Sequence, residues 1–406
     1  DMVIVSVDKA GVLTEVGRLT LEGNPRELFL YGDVAVVFGS LEMYEVPEDI
    51  EFPDPPESNY YYDSYWDGDW YGDWYTAVQI VDLSDKTAPV VLKNTAYAGR
   101  YVSSRRVANA LRGVISSPMP ALEVQTWVNV DYWDMSPAQA RHEINKAYDE
   151  LIESNIEIID AITLEDILPR KKDSTVSKSE PIAQCEDIYG PETPAGTGLL
   201  TILSIDLDRP LGDQTDVAVV GQEGIVYAST SSLYLTTARD YAFDAWVSGF
   251  WEDETSGIHK FDIESTASEA LYIGSGAVSG RMLDQFCLGE SDGFLRVATT
   301  TGSAWWEENT LDNHITILEE SGGELVEASR LDGIGTGEEI YASRFMGDRG
   351  FLVTYLQMDP LFTFDLSDPY APKVVGEWEG PGYSTYLHPY GEDLLIAVGK
   401  DENWRT

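Results

Sequence analysis

Arg344–Lys400, RFMGDRGFLVTYLQMDPLFTFDLSDPYAPKVVGEWEGPGYSTYLHPYGEDLLIAVGK, is the stretch that decides the fold. Its apolar residues follow a period of two: Phe351, Val353 and Tyr355 alternate with Leu352, Thr354 and Leu356. That alternation is the side-chain repeat of a strand, not of a helix. A Gly-Asp turn precedes this strand, Leu361–Leu366 is β-rich and ends in Ser-Asp-Pro, and Val374–Trp378 is a further short strand closed by Gly-Pro-Gly. The order is strand, tight turn, strand, loop, strand, turn, strand, and then the same series begins again. Four short antiparallel strands in such a unit have the size of one propeller blade.

The chain repeats this unit. Asp82-Leu83-Ser84-Asp85-Lys86-Thr87-Ala88-Pro89 and Asp365-Leu366-Ser367-Asp368-Pro369-Tyr370-Ala371-Pro372 share six of eight residues, each between two strands. Weaker copies start near Val3 (VIVSVD), Leu200 (LTILSIDLD), Ile258 (IHKFDIE) and Ile315 (ITILEESGG), which makes six visible repeats. Where no insertion intervenes the spacing is about 45 to 60 residues, the range of propeller blades rather than of helical solenoids. The sequence therefore predicts an all-β fold, a β-propeller of four-stranded antiparallel blades, six to eight in number. A propeller closes as one ring, so residues 1–406 are expected to form a single domain with insertions.

Composition agrees with a folded, strand-rich chain: 43% of residues are hydrophobic and 11% aromatic, with 23 Tyr and 11 Trp. The charge is extreme, 26 basic residues against 71 acidic, a net of -45. Such a field repels phosphate backbones and argues against nucleic acid, while divalent cations, basic peptides and concentrated salt are compatible with it. No apolar run reaches the roughly 18 residues of a membrane span. Only Cys185 and Cys287 are present, and their spacing leaves a bridge and two free thiols equally open.

Two insertions interrupt the strands. Residues 44–76 form an acidic, aromatic loop, Tyr60-Tyr61-Tyr62-Asp63-Ser64-Tyr65-Trp66-Asp67-Gly68-Asp69-Trp70-Tyr71-Gly72-Asp73-Trp74-Tyr75, after a run of prolines. In residues 136–184 the period changes to that of a helix: Ser136-Pro137-Ala138-Gln139 has the elements of a capping box, and Ile144, Tyr148, Leu151 and Ile152 share one face. A helix is expected over residues 137–154, a shorter one over 163–168 ended by Pro169, and a polar loop over 170–184. The helical insertion, near 136–168, reads as a decoration laid against the ring.

The copy at 344–400 resembles a family of secreted bacterial and archaeal proteins described as a beta-propeller domain distantly related to WD repeats. The residues that carry the resemblance are Arg344–Gly350, Asp359-Pro360-Leu361, Asp365–Pro369 and Gly382–Tyr390, with Tyr101–Arg105 and Gly293–Thr300 earlier in the chain. It implies an exported propeller, extracellular or at the cell surface, often part of a larger protein and with no established activity. Members of the family carry more chain before Val3 and after Lys400, so the sequence reads as a piece of a longer protein. If the ends meet, residues 382–400 supply inner strands and 2–21 outer strands of a sixth blade.

Aligning the copies just before their inner strand pair brings together Arg26 and Glu27, Ser104 and Arg105, Gln285, Ser343 and Arg344, and Tyr386 and His388. Polar residues on otherwise apolar strands need partners. Ser104, Arg105, Gln285, Arg344 and His388 are thus the candidates for a channel-mouth site that takes an anionic or carbohydrate ligand. The competing reading pairs the arginines with blade carboxylates such as Asp82, Asp365 or Asp368. In the acidic loop, Asp63, Asp67, Asp69 and Asp73 can offer oxygens to Ca²⁺, although without the order of an EF-hand. Tyr65, Trp66, Trp70 and Trp74 can stack on a glycan or a protein partner. Catalytic residues are not expected: His142, His259, His314 and His388 are scattered, and neither a zinc motif nor a G-x-S-x-G elbow is present. The sequence thus points to a non-catalytic secreted scaffold for protein or carbohydrate binding. Its alternatives are an extracellular hydrolase with a channel-mouth site and a structural segment of a larger surface protein.

Overall fold

A computed structural model describes residues 1–42, 46–47, 50, 75–118, 124–191, 196, 198–213, 215–238, 255–303, 309–355, 359–380, 382–391 and 394–400. Strands dominate it, in antiparallel meanders that follow the chain. Contacts gather into two compact units, residues 1–101 with 117–184, and residues 102–116 with 185–406.

One local device recurs in both units. At the end of the third strand of a meander an Asp side chain accepts the amide of the residue two positions on. The distances are Asp82 to Ser84, 2.8 Å; Asp206 to Asp208, 3.1 Å; Asp262 to Glu264, 2.8 Å; and Asp365 to Ser367, 3.1 Å. This Asx turn reverses the chain using a side chain in place of a backbone carbonyl. The residue between is buried apolar, and its amide donates to the carbonyl of the turn joining strands one and two: Leu83 to Asp33, Leu207 to Asn109, Ile263 to Ser231 and Leu366 to Asp348, all within 2.9 Å. A register shift just before the turn kinks strand three against strand four, between Ile80 and Val81, Lys260 and Phe261, Ile317 and Leu318, and Thr363 and Phe364. The two D-L-S-D segments therefore occupy equivalent places in equivalent meanders. The hydroxyl and amide of Ser367 hold the Asp365 carboxyl down at about 2.

In the first unit, the strands Asn24–Tyr31, Val34–Ser40, Tyr75–Asp82 and Val90–Ala98 form one meander, extended by Arg170–Asp173 and Glu180–Pro181. The hairpin Met2–Val7 with Leu13–Leu19 packs Met2, Ile4 and Leu19 against Ala35, Val37, Val81 and Leu83, and exposes Val3, Val5 and Val7. The helix runs Pro137–Ala161, longer than the expected 137–154, with a second turn at Leu164–Ile167. Ser136 and Gln139 make the expected capping box, each side chain accepting the other's amide. None of the helix's residues is buried, and Tyr148, Ile152, Ile156 and Ile159 stay 40–54% exposed. Asn155 instead ties the helix to the preceding segment through two hydrogen bonds with the Gln125 backbone.

In the second unit three complete meanders follow one another: Glu223–Ala228 to Leu271–Ser279, Leu288–Ser291 to Glu324–Ile334, and Glu339–Met346 to Lys373–Gly380. Before them, Arg100–Val107, Ala110–Pro118, Gly198–Asp206 and Val217–Val220 form a four-strand sheet with Ile188–Tyr189 added at its edge in parallel. The hairpin Tyr383–Tyr390 with Leu394–Lys400 comes last. The core lies between the faces of consecutive sheets. Leu233 and Leu235 point to Leu200, Ile202, Val217 and Val219 of the sheet before, while Tyr234 between them packs on Leu288, Leu295 and Val297 of the meander after. Likewise Ile315 and Ile317 meet Leu352, Phe362 and Phe364, and Leu318 faces the other way. A period of two on a strand covered on both sides thus builds two interfaces at once, which is why these strands read as almost continuously apolar.

Candidate functional site

Arg344 stands near the end of the strand Glu339–Met346, and its chain neighbours Ser343 and Ala342 turn inward to the core. Its Nε donates to the Leu387 carbonyl at 2.8 Å. The guanidinium carbon lies 3.7 Å from the centroid of the Phe286 ring and 5.4 Å from that of Tyr386. Phe286 is held at the start of the preceding meander by a short 3₁₀ turn, Gln285–Cys287, whose Asp284 cap accepts the Phe286 amide at 2.8 Å. The same turn presents Gln285, and Arg105 donates to its side-chain oxygen at 2.6 Å. Arg105 also donates to the Ser103 hydroxyl and to the Ser104 carbonyl.

These groups line a cavity of about 280 Å³ together with Arg296, Tyr227 and Glu290. Arg296 is 2% exposed and comes from the centre of the strand Phe294–Thr301. One of its terminal nitrogens donates to the carbonyls of Ser291 and Phe294, at 2.7 and 3.4 Å, and its Nε has no partner. Burial pushes the Arg296 and Arg344 guanidiniums below the ordinary arginine value, opposed by the fields of Asp348 and Asp292 for Arg296, and of Tyr386 and Asp284 for Arg344. Among the described residues no carboxylate lies within ion-pair distance of Arg105, Arg296 or Arg344. Three guanidiniums held only by neutral oxygens and aromatic rings are unusual in a chain with a net charge of -45. The lining carboxylate, Glu290, is engaged from its other side by Lys260 at 3.6 Å and by the hydroxyls of Ser229 and Ser232.

The expected site residues fall as follows. Arg105, Gln285 and Arg344 come together at the cavity. Ser104 is buried beside it and contributes its carbonyl. His388 is exposed and reaches the cluster only through Tyr386, whose hydroxyl lies 3.0 Å from Nδ1. Ser343 turns away and donates to the buried Cys287 sulfur at 3.2 Å. Arg26 and Glu27 belong to the first unit, where Glu27 accepts the Tyr101 hydroxyl. The alternative pairing of the arginines with blade carboxylates is not made: Asp365 binds Lys373 at 3.1 Å, and Asp82 is committed to its turn. Cys185 is exposed and Cys287 buried, both as free thiols. Asp63, Asp67, Asp69, Asp73, Tyr65, Trp66, Trp70 and Trp74 lie outside the described residues. Among the described residues no group of three or more His, Cys, Asp or Glu is placed to hold a metal ion, and no helix is long and apolar enough to cross a membrane.

Sequence reasoning missed Arg296, Tyr227, Phe286 and Glu290. The signal for Arg296 was an arginine inside the apolar strand Phe294-Leu295-Arg296-Val297-Ala298. The same signal occurs at Ala110-Leu111-Arg112-Gly113-Val114, and there the structure gives it a different meaning. Arg112, 1% exposed, spends both terminal nitrogens on the carbonyls of Thr266, Ala267 and Glu269, at 2.6, 2.6 and 2.8 Å, and so clamps a loop.

Two archaeal proteins resemble part of the chain. An uncharacterized protein of Methanocaldococcus jannaschii is 44% identical over 162 residues, 40% of this chain and 25% of that protein. An uncharacterized protein of Archaeoglobus fulgidus is 43% identical over 151 residues, 37% of this chain and 22% of that protein. The matched stretches thus span a quarter or less of these relatives. Among solved structures, a mutant of the Synechocystis apocarotenoid oxygenase aligns over 57% of this chain and 58% of its own at 11% identity, with a TM-score of 0.32, too low to bear on fold or function. With the Asx-turned meanders and the sheet-to-sheet cores in place, the match of all residues 1–406 to the family described as "Beta propeller domain" completes the assignment, and the chain belongs to that family.

Proposed function

We propose that this propeller is a non-catalytic binding scaffold, exported from the cell, that holds an anionic group of a protein or carbohydrate partner in the arginine-lined cavity of its second unit. The observation that carries the reading is the set of three guanidiniums, Arg105, Arg296 and Arg344, with no carboxylate at ion-pair distance among the described residues. A guanidinium is a planar fork of donors suited to an oxyanion, and holding several without a directly paired carboxylate leaves donors for a ligand to meet. The acidic surface suits an extracellular, saline setting and turns away polyphosphate backbones. The acidic aromatic loop at 44–76 is a second contact region, with Ca²⁺ as the ion its aspartates would take.

In the arginine cavity Glu290 is the one lining carboxylate among the described residues, and a hydrolase reading would have to draw the second carboxylate that glycoside hydrolysis uses from the adjoining cavity. Elsewhere, Thr301 Oγ1 lies 2.8 Å from His314 Nε2, and His314 Nδ1 lies 2.8 Å from Asp332, the order of a nucleophile, a base and an orienting carboxylate. Asp332 is drawn off by Arg330 at 2.5 Å and burial lowers the His314 pKa, so the line reads as a brace between paired strands. Labelling of Thr301 by a fluorophosphonate probe would revive the hydrolase reading. The scaffold reading is tested on glycan and peptide arrays at physiological salt, with and without calcium. Salt-sensitive retention of acidic features is expected, and silence on both arrays rejects it.

A further inference from the structure

We infer that the arginine cavity recognises the carboxylate of an acidic sugar, with the sugar's hydroxyls taken by an adjoining serine- and carboxylate-lined cavity. This rests on the scaffold reading and narrows its ligand. The second cavity, about 440 Å³, is lined by Ser229, Ser231, Asp262, Glu264 and Asp292, among others, and shares Glu290 and Ser291 with the first. The two cavities share the Glu290–Ser291 end of the short strand Leu288–Ser291, and Lys260 lines the second beside its serines and carboxylates.

Charge decides between oxyanions. Asp292 and Asp348 act on Arg296, and Asp284 on Arg344, from beyond ion-pair distance, while Lys260 is shared between Glu290 and Glu320. A site with so little surplus positive charge accommodates a monoanion, and a phosphate dianion meets added repulsion. A planar carboxylate matches the guanidinium fork. Phe286 and Tyr227 supply ring surface for the apolar face of a pyranose. Hydroxyls that both donate and accept fit carboxylates and serines, as in the second cavity, where a simple carboxylic acid would find nothing to bind.

The test is calorimetric titration of the whole chain with glucuronate, glucose, glucose 6-phosphate, glucose 6-sulfate and acetate. Glucuronate is expected to bind at least ten-fold more tightly than each of the others. Because Arg296 also supports the backbone at Ser291, the variants are Arg105→Gln and Arg344→Gln, checked for unchanged melting; each is expected to weaken glucuronate binding at least five-fold. Equal binding of glucose and glucuronate overturns the role of the arginines. A preference for the phosphate or sulfate ester overturns the carboxylate assignment and leaves an anion site. Acetate as tight as glucuronate removes the hydroxyl cavity from the site. If none of the five binds, the inference fails, while the scaffold reading still stands or falls on the arrays.

Discussion

Replacing Arg112 by methionine puts two opposed terms of similar size against each other. The side chain is 1% exposed and its guanidinium has no ion-pair partner among the described residues; burial lowers its pKa from the ordinary arginine value to about 10, with Asp262, Asp206 and Glu269 opposing. A depression of that size corresponds to about 3 kcal/mol of disfavour for the charged form, which methionine, of similar length and apolar, would relieve. Against it stand the carbonyls of Thr266, Ala267 and Glu269, which lose their donors together. An orphaned buried acceptor costs about 1–3 kcal/mol, so three cost about 6. The net expectation is a loss of about 3 kcal/mol, seen as a fall of roughly 1 M in the urea midpoint by tryptophan fluorescence. Arg112→Lys, with one ammonium reaching fewer carbonyls, should fall between. A methionine variant as stable as the parent, or more so, would refute the claim that this arginine is retained to satisfy the loop's backbone.

His259, fully buried with neither ring nitrogen partnered, has its pKa lowered from 6.5 to about 4 by burial. Between those values the unfolded chain binds a proton that the folded chain refuses, so stability drops as pH falls through the window, by about 3 kcal/mol in all. The variant His259→Leu should lose that much less between pH 7 and pH 4, and an unchanged pH dependence would count against the neutral imidazole. A methyl group on Gly276 would sit 2.2 Å from the Leu325 carbonyl oxygen, beside the Ser275–Glu324 bridge that joins two meanders. Gly276→Ala should therefore cost about 2 kcal/mol or more, read as a lowered melting temperature. Ala108 takes a φ of 51° in the turn position where Gly32 and Gly347 stand in other meanders, with φ of 58° and 56°. Ala108→Gly should gain about 0.5–1 kcal/mol in chemical unfolding, and a loss would show that the methyl group packs usefully.

Much of the fold is legible because propeller blades are made of local contacts. The hairpins, the D-L-S-D turns and the change of period at Ser136 depend on residues within a few positions of one another, and each reappears in the structure. The helix runs past its expected end because Ile156 and Ile159 continue its pattern and nothing before Ile162 breaks it. The site was only half legible. Arg105, Gln285 and Arg344 stand at matching points of different repeats, so alignment of the chain with itself brought them together. Phe286, Tyr227 and Glu290 have no such mark.

Arg112 and Arg296 define the boundary. Each is an arginine in an apolar strand, and that pattern is what the amino-acid sequence by itself displays. Only the tertiary structure decided that one meets three carbonyls of a loop more than 150 residues away while the other lines a cavity. Period and turn chemistry are set by neighbours along the chain, whereas the partner of a buried charge is set by whichever distant backbone the packing of sheets delivers to it.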